Sequence, residues 1–346
     1  MTPPPAVLGW DIGGVNTKVA RLEPGPNGPV LETVSVPYEI KRDPSALMET
    51  LVQAAGSVGG KPGDRHAVTM TAELSQAFRT KREGVGFVLD ALQAAFPGAS
   101  LHIYSAENSF LAPQQARELP LAIGAANWAA PAWLVARSTP TCVLIDMGTT
   151  STDLTPIVDG RVVAQGRTDP ERLLSGELVY TGALRTPVEA VAHKVPLWGG
   201  SAGVAADGFA LIGDAHLWLG RLPPEDYTCP TPDGRPPTRE SAGERLARVV
   251  CGDRDLLDEF AVNVIALALA EAQLQTLASS LERILARWPL IHGAMVAGLG
   301  ASIAADAAKA LGLNIIPLDG LLKPAARNAP AAAVAWLLWH SMQQGK

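Results

Sequence analysis

The sequence predicts an α/β protein made of two related domains, and three observations carry that expectation. The chain has 346 residues, at roughly 100–200 residues per domain. An Asp that closes a short apolar strand is followed by a Gly-containing hairpin turn at residue 11 and again at residue 146. Behind each of these, helical and strand patterns alternate.

In chain order, Val7-Leu8-Gly9-Trp10-Asp11-Ile12 reads as a short buried strand. Gly13-Gly14 turns the chain, 17–22 returns as a strand, and after the 24–28 turn 30–36 is a third. The pattern recurs in Val143-Leu144-Ile145-Asp146-Met147, the turn Gly148-Thr149-Thr150, a strand over 151–158, the turn Asp159-Gly160 and a strand over 161–165. Between the copies, 45–58, 84–96 and 119–136 read as helices, and 67–71 and 101–105 as strands. After the second copy, 168–245 is rich in Gly, Pro and Asp and is expected to be irregular. The period then returns as a long helix over 256–288, strands over 294–298 and 315–318, and helices over 302–311 and 325–342. The expected domains are 1–140 and 141–323, with 168–245 inserted as part of a substrate pocket. The closing helix, 324–342, is expected to cross back to the first domain.

Composition narrows the partners. Hydrophobic residues make up 47% of the chain and charged residues 18%, enough to bury sizeable cores. The net charge is −6 and no Lys/Arg stripe forms, so nucleic acid is not an expected partner. No uninterrupted apolar run reaches the roughly 18 residues of a membrane span. Met1-Thr2-Pro3-Pro4-Pro5 does not read as a signal peptide. The three cysteines, Cys142, Cys229 and Cys251, are far apart, which suggests neither disulfides nor zinc and points to the reducing cytoplasm. Nothing in the sequence sets the oligomeric state.

The repeated turns carry the chemistry. A turn with Gly13 and Gly14, or with Gly148, lets backbone N–H groups approach an anion without a Cβ in the way. Asn16, Thr17, Thr149, Thr150 and Ser151 add polar side chains, and Lys18 adds a positive charge. Asp11 and Asp146, at strand ends expected to face one cleft, suit a Mg²⁺ that keeps most of its waters. Together they form a candidate phosphate clamp. Met295-Val296-Ala297-Gly298-Leu299-Gly300-Ala301-Ser302 reads as strand, Gly turn and helix start, which suits an anion or nucleotide at a helix N-terminus. Close packing of strand on helix accounts for Gly298 and Gly300 equally well.

A strand-Asp-Gly hairpin found twice, followed by a late strand with Gly-x-Gly, resembles the acetate kinase, sugar kinase, Hsp70 and actin superfamily. The resemblance implies the two-domain actin-like ATPase (RNase H-like) fold. It makes residues 11–18 and 146–153 the phosphate motifs and 296–302, with Gly298, Gly300 and Ser302, the nucleotide-like motif. A narrower resemblance rests on 7–18, on Met70-Thr71-Ala72-Glu73-Leu74 with Thr80-Lys81-Arg82-Glu83-Gly84-Val85, on Tyr180-Thr181-Gly182-Ala183-Leu184-Arg185-Thr186-Pro187, and on Arg245-Leu246-Ala247-Arg248. These segments are similar to the hydantoinase/oxoprolinase-related proteins of tetrahydromethanopterin-linked one-carbon transfer, including their methanofuran-biosynthesis branch. Ala72 stands where that pattern has Gly.

The resemblance implies a transferase that condenses an aminomethylfuran diphosphate with a phenol of the tyrosine or tyramine type and releases diphosphate. Asp11, Asp146, Lys18 and Arg185 would be catalytic, with Glu73, Lys81, Arg185 and Thr186 binding substrate. Glu73, Lys81, Arg185 and His193 are the candidates for assisting the phenol. Two other readings remain open on the residues. One is an ATP-dependent small-molecule kinase or oxoprolinase-like ATPase, with ATP in the same clamp. The other is a nucleotide-gated assembly protein.

Overall fold

The computed structural model describes residues 5–318 and 322–344, so the reading of Met1-Thr2-Pro3-Pro4 lies outside the described residues. The elements are β1 Val7–Ile12, β2 Asn16–Glu23, β3 Val30–Pro37, α1 Leu47–Ser57, β4 Arg65–Met70, α2 Lys81–Ala95, β5 Leu101–Ser105 and β6 Ser109–Leu111. Next come α3 Pro113–Glu118, α4 Pro120–Ile123, α5 Ala129–Val135, β7 Cys142–Met147, β8 Thr152–Val158, β9 Arg161–Val162, α6 Asp169–Ser175 and β10 Leu178–Val179. The chain closes with β11 Lys194–Leu197, β12 Gly200–Gly203, α7 Ile212–Trp218, α8 Arg239–Arg248, α9 Glu259–Arg287, β13 Gly293–Ala297, α10 Ala301–Ala310, β14 Asn314–Ile316 and α11 Ala329–Gln344.

The two principal sheets repeat one plan. The first runs β3-β2-β1-β4-β5-β6, and the second runs β10-β8-β7-β13-β14 with β9 also on β8. In each, the first strand of the hairpin lies between its returning strand and a later strand reached by crossover. In the first sheet β1 pairs antiparallel with β2 and parallel with β4. This duplicated hairpin order is the actin-like ATPase architecture. The turns match in detail: Gly13 N–H donates to the Asn16 carbonyl at 3.0 Å, and Gly148 N–H to the Ser151 carbonyl at 2.9 Å.

The chain forms two compact units. The first comprises residues 1–144, 155–174 and 317–346, and the second 145–154 and 175–316. In the first unit, Leu8, Trp10, Ile12, Val68, Val85, Leu89 and Ile103 belong to one core cluster. Helix α11 packs on β1, β2, β4 and α5 of the same unit. Its Ala-rich surface comes so close to β1 that a Cβ on Gly9 would lie 2.1 Å from the Ala331 carbonyl oxygen and 2.8 Å from the Ala335 methyl. Only glycine fits that contact, which explains Leu8-Gly9-Trp10 in an otherwise bulky strand.

Several elements depart from the sequence reading. The expected helix over 119–136 is two short helices separated by residues 124–128, which begin with an extended Gly124, and the strand expected over 161–165 is only two residues long. The segment over 168–245 is not irregular. It carries α6, β10, the β11–β12 hairpin, α7 and most of α8, and its apolar residues build a core. Val188, Val195, Ile212, Ala215 and Trp218 pack with Leu246, Leu257, Val262, Ile265 and Leu269. Helices of one or two turns offer too few periodic positions to be seen in sequence.

Helix α9 is long and apolar enough, by length and composition, to cross a membrane, although charges interrupt its apolar run. Its buried positions, Ala261, Val262, Ile265, Ala266, Leu269, Ala270, Gln273, Leu277, Leu281 and Ile284, fall at helical spacing, as expected of a helix with one face in a protein core.

The second unit also contains a buried ionic knot. Arg245 donates from Nε at 2.9 Å and Nη2 at 2.7 Å to Asp214 Oδ1, and from Nη1 at 3.0 Å to Asp233. The Tyr227 hydroxyl donates to the same Asp214 oxygen at 3.1 Å, and Leu211 N–H donates to the other at 2.9 Å. Removing one partner of a buried pair strands the other charge. Arg245→Met should therefore cost about 3–5 kcal/mol in urea unfolding, and a midpoint equal to the parent's would refute that role.

Candidate functional site

Asp11 is the penultimate residue of β1, whose six residues are all buried. Register places Lys18 opposite it on β2 and Thr69 opposite it on β4, so the three share a face of the sheet. Lys18 Nζ lies 3.4 Å from Asp11 Oδ2. Asp11 Oδ1 and Thr69 Oγ1 are buried and have no hydrogen-bond partner among the described residues, and the same holds for Thr17 Oγ1. A buried carboxylate oxygen without a partner is costly unless something else meets it. Lys18, expected from the sequence to add a positive charge to the phosphate clamp, is paired with Asp11.

The turn carbonyls of both hairpins are tied from outside. Gly14 O accepts from Ile40 N–H at 3.1 Å, and Val15 O from Tyr38 N–H at 3.1 Å. In the second turn, Gly148 O accepts from Ala183 N–H at 2.9 Å, while Thr149 O accepts from Leu184 N–H at 3.1 Å and Arg185 N–H at 2.9 Å. A trans peptide points its C=O and N–H in opposite directions. Tying these carbonyls to the flanking loops therefore turns the N–H groups of Val15, Asn16, Thr149 and Thr150 the other way. That is the arrangement an anion-binding turn needs.

Asp146, half-buried on β7, is matched to Asp11 in position. Gly298, with φ +85°, lies against it: a Cβ there would meet the Met147 carbonyl at 2.3 Å and Asp146 Oδ1 at 2.6 Å. Gly300 N–H donates to Met147 O at 2.9 Å, and a Cβ on Gly300 would lie 2.5 Å from the Met147 side chain. Both glycines are required by this close approach, which also sets the turn beside Asp146. Ser302 is exposed in the first turn of α10. Gly298→Ala forces a side chain into a left-handed backbone and into a carbonyl. It should cost about 2–4 kcal/mol, seen as a lower denaturation midpoint, and an unchanged midpoint would contradict the placement.

The first unit holds a second cluster. Glu73 follows β4 in a short 3-10 turn, its side chain fully buried, and neither carboxyl oxygen has a hydrogen bond among the described residues. Lys81, the first residue of α2, places Nζ 3.7 Å from Glu73 Oε1 and donates to Asp169 Oδ2 at 2.6 Å. Burial pushes the Glu73 pKa up to about 7, against the pull of the Lys81 ammonium. Gly84 and Gly124 wall the residue in: a Cβ on Gly124 would lie 3.0 Å from Oε1, and one on Gly84 2.6 Å from the Glu73 backbone. Lys81 and Asp169 are the partly exposed members, with side chains 19% and 17% accessible. One turn along α6, the Arg172 guanidinium stacks on Trp128 at 3.8 Å.

Other candidates are placed differently. The Thr186 hydroxyl is buried and accepts from Gly182 N–H at 3.1 Å, so it shapes its own loop. Arg185 is half-buried, with its backbone N–H on the second turn. His193 is exposed at the start of the β11–β12 hairpin, and its carbonyl accepts from Val204 N–H at 3.0 Å.

Residues 64–340 match the Hydantoinase/oxoprolinase family. The chain belongs to that family. A relative from Methanocaldococcus jannaschii, (4-{4-[2-(gamma-L-glutamylamino)ethyl]phenoxymethyl}furan-2-yl)methanamine synthase, is 35% identical over 334 residues, spanning 96% of this chain and 97% of the relative. A synthase of the same name from Methanococcus vannielii is 34% identical over 166 residues, 48% of this chain and 74% of that one. Among solved structures, nucleotide-free acetone carboxylase superposes with a TM-score of 0.57 at 12% identity, covering 95% of this chain and 70% of that chain. That likeness is one of fold.

For this hydantoinase/oxoprolinase family member, the matched region takes in Glu73, Lys81, Asp169 and the second hairpin, while the first hairpin precedes it. Among the described residues no group of three or more His, Cys, Asp or Glu side chains is arranged to hold a metal. A Mg²⁺ held by one or two carboxylates and completed by substrate phosphate needs no such cage. The partnerless Oδ1 of Asp11 fits that mode. Thr69 and Asp169 were missed in the sequence. Thr69 reads there as one more β-branched strand residue, and Asp169 stands 88 positions from the lysine it binds.

Proposed function

We propose that this chain condenses an aminomethylfuran diphosphate with the phenolic oxygen of a tyrosine- or tyramine-type acceptor, releasing diphosphate in methanofuran-type cofactor biosynthesis. The observation that carries this is the end-to-end match to a synthase whose named product is a phenoxymethyl furan. In the reaction, the bond from the furfuryl carbon to the diphosphate oxygen breaks with its electron pair going to diphosphate. The phenol oxygen bonds to that carbon, and its proton passes to a base.

Asp11, or its positional match Asp146, would hold Mg²⁺, and the metal would offset charge growing on the leaving group. In each turn the N–H groups, those of Val15 and Asn16 in the first and those of Thr149 and Thr150 in the second, are available to phosphate oxygens as negative charge builds there. Gly13, Gly14 and Gly148 keep those turns clear of side chains. Lys81 would stabilise the phenol oxygen as it loses its proton. Glu73 would accept that proton, because a carboxyl with a pKa of about 7 is partly ionised at neutral pH and still able to take a proton. Since Glu73 is walled by Gly84 and Gly124, the phenol would approach from the side where Lys81 is partly exposed. Asp169 would hold Lys81 in place.

A furfuryl centre that is losing its leaving group is easily trapped by water, so bond breaking should wait for the acceptor. The test is diphosphate release from aminomethylfuran diphosphate with and without tyramine. Release should require the phenol and consume no ATP. Equal release without a phenol, or steady ATP hydrolysis with no ether formed, would overturn the proposal.

A further inference from the structure

Behind the second turn lies a run of buried polar side chains that the proposed chemistry does not use. Gln273 is fully buried in the middle of α9. Its Nε2 donates to Thr181 Oγ1 at 2.8 Å and to the Gly182 carbonyl at 2.8 Å, and its Oε1 lies 2.7 Å from His216 Nε2. The directions of these bonds follow from the chemistry. The amide oxygen can only accept, so His216 must carry its proton on Nε2. Burial lowers the His216 pKa to about 4, which keeps the ring neutral, and its Nδ1 has no partner among the described residues. Thr181 Oγ1 accepts from Gln273 Nε2 and pairs with Thr186 Oγ1, 3.1 Å away, where either hydroxyl can donate. Thr186 Oγ1 also accepts from Gly182 N–H at 3.1 Å, and Thr152 Oγ1 donates to the Thr181 carbonyl at 2.7 Å.

The chain from His216 through Gln273 and Thr181 to Thr186 thus fixes the loop 181–186. That same loop ties the second turn: Ala183, Leu184 and Arg185 donate to the Gly148 and Thr149 carbonyls. Gly182 sits so close that a Cβ would lie 2.5 Å from Thr150 N. Burying an amide, two hydroxyls and an imidazole in a helix-packed core is expensive, and an apolar core would stabilise the unit as well or better. Such a network is instead suited to setting one geometry.

Resting on the reading of the second turn as a phosphate site, we infer that Gln273 is a positioning residue. Through Thr181 and the loop 181–186 it aims the Thr149 and Thr150 N–H groups at the diphosphate of the substrate. Loss of the strut weakens diphosphate recognition while leaving acceptor recognition intact.

The probe is inorganic diphosphate with Mg²⁺, titrated calorimetrically into the full-length protein. Steady-state KM values for the furan diphosphate and for tyramine are measured in parallel. Gln273→Met, close in volume and without donors, should weaken diphosphate binding at least tenfold and raise KM for the diphosphate substrate, with KM for tyramine unchanged. Thr181→Val should do the same, and Thr181→Ser, which keeps the hydroxyl, should restore binding. The Thr181 pair decides the matter if Gln273→Met does not fold. If the parent binds diphosphate and the folded variants bind it equally well, the positioning role is wrong. If the parent itself does not bind diphosphate, the phosphate reading of the turn fails, and this inference with it.

Discussion

Asp11→Asn should lower kcat/KM for the furan diphosphate by about 10²–10³-fold, the scale seen when one preorganised electrostatic group is removed from an active site. Asn has the shape of Asp and packs in the same buried strand, so the loss should not come from unfolding. What disappears is the negative charge. Asp11 Oδ1 is buried with no hydrogen-bond partner among the described residues, and Oδ2 lies 3.4 Å from Lys18 Nζ. If Asp11 served only as the counter-ion of Lys18, its neutralisation would change stability and leave the response to Mg²⁺ alone. If it holds the metal, half-maximal activity should shift to higher Mg²⁺. Rates measured from micromolar to tens of millimolar Mg²⁺ separate the two, and an unchanged rate and an unchanged midpoint would contradict the assignment.

Glu73→Gln should abolish the pH dependence of both activity and stability near neutrality. Burial first, with Asp169 adding to it and Lys81 opposing it, raises this carboxyl from 4.5 to about 7. The folded protein therefore binds the proton more tightly than the unfolded chain does. The stability tied to the protonated form is complete below about pH 4.5 and is lost as pH climbs through about 7. A shift of that size corresponds to roughly 3 kcal/mol. The parent's Tm should fall between pH 5 and 8, and Glu73→Gln should flatten that slope and exceed the parent's Tm at pH 8. Activity runs the other way, because the base must be ionised. In the parent kcat should rise with pH through about 7, and in Glu73→Gln it should drop by about 10²–10⁴-fold and lose that rise. A variant with the parent's activity and profile would remove Glu73 from the chemistry.

The parts legible in the sequence are local ones. Asp11 with Gly13-Gly14, and Asp146 with Gly148, lie within a few residues of each other, and their repetition singles them out before any tertiary contact is known. Gly298 was legible as a special position but not as to why, since the Met147 carbonyl that excludes a Cβ lies far off in the chain. Glu73 and Lys81 were picked out by resemblance. Their chemistry depends on Asp169 and on the burial of one carboxyl, neither of which a linear pattern encodes. Gln273 was hidden for the opposite reason: one amide on the buried face of a 29-residue apolar helix leaves the helical period intact. The same holds for Asp214, whose partner Arg245 was noted only as part of a motif.

The central claim is that a phenolic oxygen replaces diphosphate at a furfuryl carbon, and oxygen labelling tests it most directly. The purified protein is given unlabelled aminomethylfuran diphosphate, Mg²⁺ and tyramine carrying ¹⁸O in its phenol, without ATP, and the products are weighed by mass spectrometry. The account predicts a furan–phenol ether that retains the ¹⁸O and a diphosphate that contains none. An ether without the label, label in the diphosphate, or no ether unless ATP is supplied and consumed would contradict it.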